Sequence, residues 1–138
     1  MPTSNSETTL QLLRQHLIST TAVLDLVDGR VHTGHFFAFD TQTVEMPCVI
    51  LELDGGTANY ASASQQAGLY VYAYSRHNTA EALKVYQAVY EALNGSELRH
   101  SSLSLSGTAV ETFRPTSGYN DQVRAYFYRG TYTVFTAG

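Results

Sequence analysis

The chain has 138 residues, 43% of them hydrophobic and only 14% charged, with a formal net charge of −4, a single lysine (Lys84) and ten tyrosines. That length is the size of one domain, and the acidic balance excludes the basic stripe that binding to a phosphate backbone requires. No apolar stretch approaches the roughly 20 residues of a membrane-spanning helix, and the lone cysteine, Cys48, excludes an internal disulfide framework and suits a reducing compartment.

Residues 1–5 are polar and expected to be loose, and the opening MPTSNSETT has neither the basic start nor the apolar run of a secretory signal. Ser4 followed by Glu7 reads as a capping box, and Leu10, Leu13 and Leu17 recur at helical spacing, which predicts an amphipathic helix over 5–18. A short helical turn, Ala22 to Val27, runs into Asp28-Gly29, a turn signal. Arg30 to Phe39 carries no clean period. Pro47 opens the strand CVILEL, with Val49, Leu51 and Leu53 on one face and Cys48, Ile50 and Glu52 on the other.

The segment 54–67, DGGTANYASASQQA, has no period and reads as a long loop. Leu69 to Ser75 alternates strictly: Tyr70, Tyr72 and Tyr74 on one face, Leu69, Val71 and Ala73 on the other. Asn78 with Glu81 marks a helix start, and 79–93 carries the stripe Ala82, Leu83, Tyr86, Val89, Tyr90 and Leu93 before the stop signal Asn94-Gly95. Val110 to Arg114 and Val123 to Phe135 read as strands around a second loop at 115–122, and Tyr126, Tyr128 and Tyr132 repeat the spacing of the earlier tyrosines.

This order predicts a single domain over 1–138 of the α+β class, a mostly antiparallel sheet with helices packed on one face. The other face would be lined by tyrosine, a rigid amphipathic side chain suited to surfaces that are wet before assembly and buried after it. Low charge points the same way, because a monomer of this size normally carries more charge for solubility.

Candidate chemistry is sparse. His32 and His35 lie three apart with Cys48 further on, but residues three apart in an extended segment face opposite ways, so no metal site is expected. Ser75-Arg76-His77 ends a strand, without the glycine-flanked elbow of a serine nucleophile, and reads equally as a polar strand-to-helix connection. Cys48 sits in an apolar strand, where thiols are inert. Asp54-Gly55-Gly56 has neither the lysine of a phosphate loop nor dinucleotide-binding spacing. No catalytic residue, metal or cofactor is expected. A competing reading is a small ligand-binding or enzymatic domain with the tyrosine face as its pocket.

The succession of an amphipathic helix, LVDGRV at 26–31, PCVILEL at 47–53, a strand closing in Ser75, a helix ending ALNG at 92–95 and a last hairpin through Tyr132-Thr133-Val134 resembles the tail-terminator (tail-completion) proteins of long-tailed bacteriophages and gene transfer agents. The resemblance spans about residues 8–136 and rests on order and spacing rather than on any single motif. It implies a structural virion protein of the tail-neck region, assembled in the host cytoplasm. Its partners would be five further copies in a hexameric ring, the tail tube protein and the head connector, with genome DNA passing through the lumen without sequence-specific binding. A head-completion or connector-adaptor protein shares the size and ring symmetry. Within a ring, the loops at 54–67 and 115–122 are expected to make the contacts through Asn59, Tyr60, Gln65, Tyr119, Asn120 and Asp121, and to be removable without unfolding the domain. The sheet face would contribute Tyr70, Tyr72, Tyr74, Tyr126 and Tyr128.

Overall fold

The computed structural model describes residues 6–33, 44–59, 64–100 and 105–137. Helices α1 (Ser6–Ile18), α2 (Thr21–Val27) and α3 (Thr79–Leu93) accompany strands β1 (Val31–Thr33), β2 (Cys48–Asn59), β3 (Ser64–Ser75), β4 (Glu97–His100), β5 (Leu105–Asn120) and β6 (Ala125–Ala137). The strands form one sheet in the order β1-β2-β3-β6-β5-β4, in which β1 runs parallel to β2 and the other pairs are antiparallel. The fold is α+β with the helices on one face, as the chain order predicts.

The alternation in CVILEL and LYVYAYS sets which face is covered. Val49, Leu51, Leu69, Val71 and Ala73 join Ala109, Tyr132 and Val134 beneath Leu12, Leu13 and Leu17 of α1 and Val85, Tyr86, Val89 and Leu93 of α3. In α1 the buried leucines follow the predicted stripe, though Leu12 is buried and Leu10 only partly so. The capping pair at Ser4 and Glu7 lies outside the described side chains. In α3 the buried stripe is Ala82, Val85, Tyr86, Val89, Ala92 and Leu93, so it is centred one position away from the predicted one and leaves Tyr90 exposed. Asn78 accepts the Glu81 amide at 2.8 Å, which satisfies one of the orphan donors at the helix start. At the end of α2, Asp28 (φ 49°) and Gly29 (φ 79°) take the left-handed conformations that stop a helix, and the chain turns into β1.

Two predicted loops are strands. The stretch 54–67 is most of a hairpin: β2 continues to Asn59 and pairs with β3 from Ser64, with a register shift between Leu53 and Gly56. Its lack of alternation hid it, because Gly55 and Gly56 sit at the bulge and the pairing is extended by β6, whose residues 134–137 bond to β3 at 64–67. Most of the stretch 115–122 is likewise the end of β5, paired residue for residue with β6 from Thr116 to Asn120, and 121–124 form the turn. Its turn-like residues have other uses here: Pro115 lies in the second of two bulges, between Phe113 and Thr116, and Gly118 leaves room for a ring, since a Cβ there would stand 2.9 Å from Phe127. Strands β1 and β4 arise from stretches without a readable period. Deleting either segment would remove paired strand, so the expectation that both are dispensable for folding is corrected.

Packing is tightest where α3 crosses the sheet. A Cβ on Gly130 would lie 1.7 Å from the Tyr86 hydroxyl oxygen and 2.5 Å from its ring, so only glycine leaves space for Tyr86 against β6. Gly130→Ala is expected to destabilise the domain by about 1–3 kcal/mol, the usual cost of overpacking, seen as a lower denaturant midpoint at unchanged slope. An unchanged midpoint would mean that Tyr86 is free to swing aside.

Candidate functional site

The face of the sheet opposite the helices divides into two zones. At one end a second apolar cluster forms from Cys48, Ile50, Tyr74, Val123 and Ala125, with Val44, Met46, Tyr72 and Phe127 packed against it. Tyr72 and Tyr74 stack with centroids 5.7 Å apart, and Phe127 tilts against both at 6.4 and 6.0 Å. The Arg76 guanidinium donates to the Val44 carbonyl and ties the segment before β2 to this cluster. Burial pushes the Cys48 thiol up to about 12 and pushes the Tyr74 phenol above its ordinary range. Both groups are therefore neutral and inert near neutral pH.

Toward the other end the face is open. Tyr70 donates to Asp54 Oδ2 at 2.9 Å, and the Arg129 guanidinium lies 5.3 Å over its ring. The hydrogen bond to Asp54 holds the Tyr70 phenol above its usual range. Beyond them Val110 and Phe135 stand on the same face, 41% and 42% exposed, and Phe113 at the first β5 bulge is 70% exposed. An exposed phenylalanine of this degree is the apolar feature that a contact surface would use, and the sequence reading missed it because Phe113 lies where a register shift breaks the alternation.

The tyrosine candidates separate. Register places Tyr128 opposite Ala73, Gly130 opposite Val71 and Tyr132 opposite Leu69, so Tyr126, Tyr128 and Tyr132 belong to the helix-side face rather than to the face of Tyr70, Tyr72 and Tyr74. Tyr132 is fully buried in the main core, Tyr128 packs against it, and Tyr126 meets Tyr119 edge-on at 4.9 Å. Equal spacing within a strand says nothing about which neighbour's face it shares, and register decides. Tyr74 is itself 3% exposed, leaving Tyr70 and Tyr72 as the accessible members.

Of the loop candidates, Tyr119 is 49% exposed near the end of β5. Asn120 is spent locally, its Oδ1 accepting from the Gln122 and Val123 amides to shape the turn in which Asp121 is exposed. Asn59 and Gln65 occupy paired strand positions, and Tyr60 lies outside the described residues.

The nucleophile and metal candidates have structural partners. Ser75 Oγ donates to Glu81 at 2.7 Å and accepts from the His77 amide at 3.0 Å, closing the turn into α3. His32 is partly buried, and desolvation together with Arg14 and Arg30 lowers its pKa; His35 lies outside the described residues. Among the described residues no group of three or more His, Cys, Asp or Glu side chains could hold a metal ion, and no helix is long and apolar enough to cross a membrane.

The most polar interior feature joins α3 to the sheet. The Tyr86 hydroxyl lies 2.6 Å from Glu111 Oε2 and 3.0 Å from the Tyr132 hydroxyl. One proton per hydroxyl means that Tyr86 donates to the carboxylate, which can only accept, and that Tyr132 donates to Tyr86. Burial, reinforced for Tyr86 by the bond to Glu111, raises both phenols above their ordinary value.

No family model matches this chain, and no curated protein matches it. Among solved structures it is similar to a chain from the virion of a native gene transfer agent particle, at 14% identity and a TM-score of 0.67, over 98% of this chain and 100% of that one. The likeness is one of fold, and it takes in the whole domain.

The raised phenols set an alkaline limit. Tyr74, Tyr86 and Tyr132 ionise more readily in the unfolded chain than in the folded one, so their contribution to stability is complete below about pH 10, the unfolded phenol value, and falls as pH rises through the higher folded values. Tyrosinate absorbance is expected to show these three titrating late, together with unfolding, whereas an early titration of all ten tyrosines would contradict it.

Proposed function

We propose that this protein is a structural component of a tailed virion or gene transfer particle, and specifically a tail terminator. In that role six copies form a ring on the last ring of the tail tube, stop its polymerisation and offer a surface to the head connector in the neck. The observation that carries the reading is the end-to-end fold likeness to a chain of a gene transfer agent virion, joined to the order of sequence features that resembles tail terminators over about residues 8–136.

The surface chemistry supports an assembling protein. Ser75 and Cys48, the two candidate nucleophiles, are occupied in turn formation and in a buried cluster. The exposed surface includes uncharged contact area at Phe113, Phe135, Val110 and Tyr119. A ring of net acidic subunits also suits a lumen through which DNA must slide, because a basic wall would hold the phosphates. The partners in this reading are five further copies, the tail tube protein and the connector, met in the host cytoplasm during assembly.

Electron microscopy of the purified protein, alone and mixed with tail tubes, tests this. Sixfold rings seated on tube ends are expected, and particles made without the protein should carry over-long tubes lacking heads. Twelvefold rings that bind the connector and ignore tubes would instead make it a connector adaptor.

A further inference from the structure

Besides the outer edges of the short terminal strands β1 and β4, two stretches of the longer strands carry no partner among the described residues, and their placement points to how copies join. Strand β4 covers β5 only at 105–108, leaving the outer edge of β5 open through 112–120. Strand β1 pairs with β2 at 49–51, and among the described residues nothing covers the outer edge of β2 through 52–59. An open edge is a row of backbone donors and acceptors whose natural complement is another strand.

The direction of these backbone groups follows from the ladder. The Gly95 amide donates to Ala109 O and the Glu111 amide to Asn94 Oδ1, so Ala109 and Glu111 turn away from β6. Antiparallel pairs alternate between bonded and non-bonded, which makes Ala109 opposite Val134 a non-bonded pair. Strand β6 meets β3 without a register shift, so its even-numbered residues bond toward β3 and its odd-numbered ones toward β5. Gly118 opposite Phe127 and Asn120 opposite Ala125 then exchange bonds with β6, and Ser117 and Tyr119 aim theirs outward. On the other side, Val49 donates to Arg30 O, away from Ala73. The same alternation along β3 turns Gln65 and Ala67 toward β6 and leaves their partners Ala58 and Gly56 aimed outward.

We infer that the open β5 edge of one copy, at Ser117 and Tyr119, pairs antiparallel with the open β2 edge of the next copy, at Gly56 and Ala58, so that the sheet continues from subunit to subunit. The inference rests on the ring reading above and supplies its contact. Three antiparallel steps separate β2 from β5, so the two strands run in opposite directions within one copy. Copies related by a ring axis therefore meet with strands already antiparallel. The contact is heterologous, with different edges on its two sides, which is the type that closes into rings. The edges also sit at opposite ends of the sheet, so joined copies are staggered along the strands, as closure of a sheet into a barrel requires. Helices stay on one wall throughout.

The test uses the full chain with Ser117→Pro and, separately, Ala58→Pro. Each removes one outward N–H and no bond of its own hairpin, so circular dichroism and melting should match the wild type. Each variant alone is expected to lose the ring, and an equimolar mixture is expected to give dimers by native mass spectrometry, because each copy still has one intact edge. Six-membered rings from either variant alone would overturn the pairing, including the case in which only Ser117→Pro fails and β5 pairs with itself or with another protein. A measurement without substitutions covers misfolding of either variant: amide exchange at 56, 58, 117 and 119 should slow when wild-type monomers assemble. Rings with unchanged exchange at these amides would leave the ring reading standing and remove the strand pairing. Failure of the wild type to form six-membered rings, in solution or on tube ends, would remove both.

Discussion

The seating of Tyr86 over Gly130 is the contact on which the rest of the architecture depends. Strand β6 lies at the middle of the sheet, and a side chain at 130 would occupy the space of the Tyr86 hydroxyl. With that space clear, α3 comes close enough for Tyr86 to reach Glu111 on β5 and Tyr132 on β6. A hydrogen bond to a charged acceptor contributes roughly 1.5–3 kcal/mol, and here it also removes the cost of burying two phenols without partners. The helix is fastened at both ends as well. Ser75 at the end of β3 binds Glu81 in its first turn, and past its last turn Gly95 and Asn94 bond to Ala109 and Glu111 of β5. One helix thus fixes three strands, and α1 closes the remaining apolar face, with His16 Nε2 2.7 Å from the carbonyl of Ala92.

Concentrating the core on one side leaves the other side of the sheet with half a core. The cluster around Ile50, Tyr74 and Phe127 covers one end, assisted by Val123 folding back from the β5–β6 turn. The opposite end keeps Phe113, Val110 and Phe135 in water. Charge on the outer parts of these side chains would cost little in an isolated domain, since they stand largely in water. Their apolar character is that of a surface suited to being covered by another chain.

The elements legible in the sequence were those with local signals. The Asn78–Glu81 start, the Asp28-Gly29 stop and the strict alternation of 69–75 depend on neighbours a few residues away, and each is found where the residues put it. The ends of the long strands depend instead on what β6 offers as a partner, so segments with glycine, proline and serine became strand where propensity read loop. The face of Tyr126, Tyr128 and Tyr132 was misread for a related reason. Their spacing is that of Tyr70, Tyr72 and Tyr74, but inter-strand register sets them on the helix side. Gly130 held the clue, since a glycine amid Tyr128 and Tyr132 at the same parity marks the place where a helix side chain must enter. The candidate contacts were legible to the extent that exposed tyrosine could be guessed at Tyr70, Tyr72 and Tyr119. Phe113 was not, because it sits between two register shifts.

The β5 edge itself shows how an exposed strand can be guarded in one half and left available in the other. Unprotected edges invite indiscriminate pairing, and proline, bulges and charge are the usual guards. All three occur between Glu111 and Thr116: two register shifts, Pro115, which has no N–H to donate, and exposed Arg114. From Thr116 to Asn120 the strand runs in unbroken register with β6, free of charge and proline, and ends in the exposed ring of Tyr119. The guard stops short of the last five residues and confines pairing on this edge to them. That division favours an edge reserved for one partner strand, and the edge of β2 beyond its pairing with β1 has the polarity to complement it.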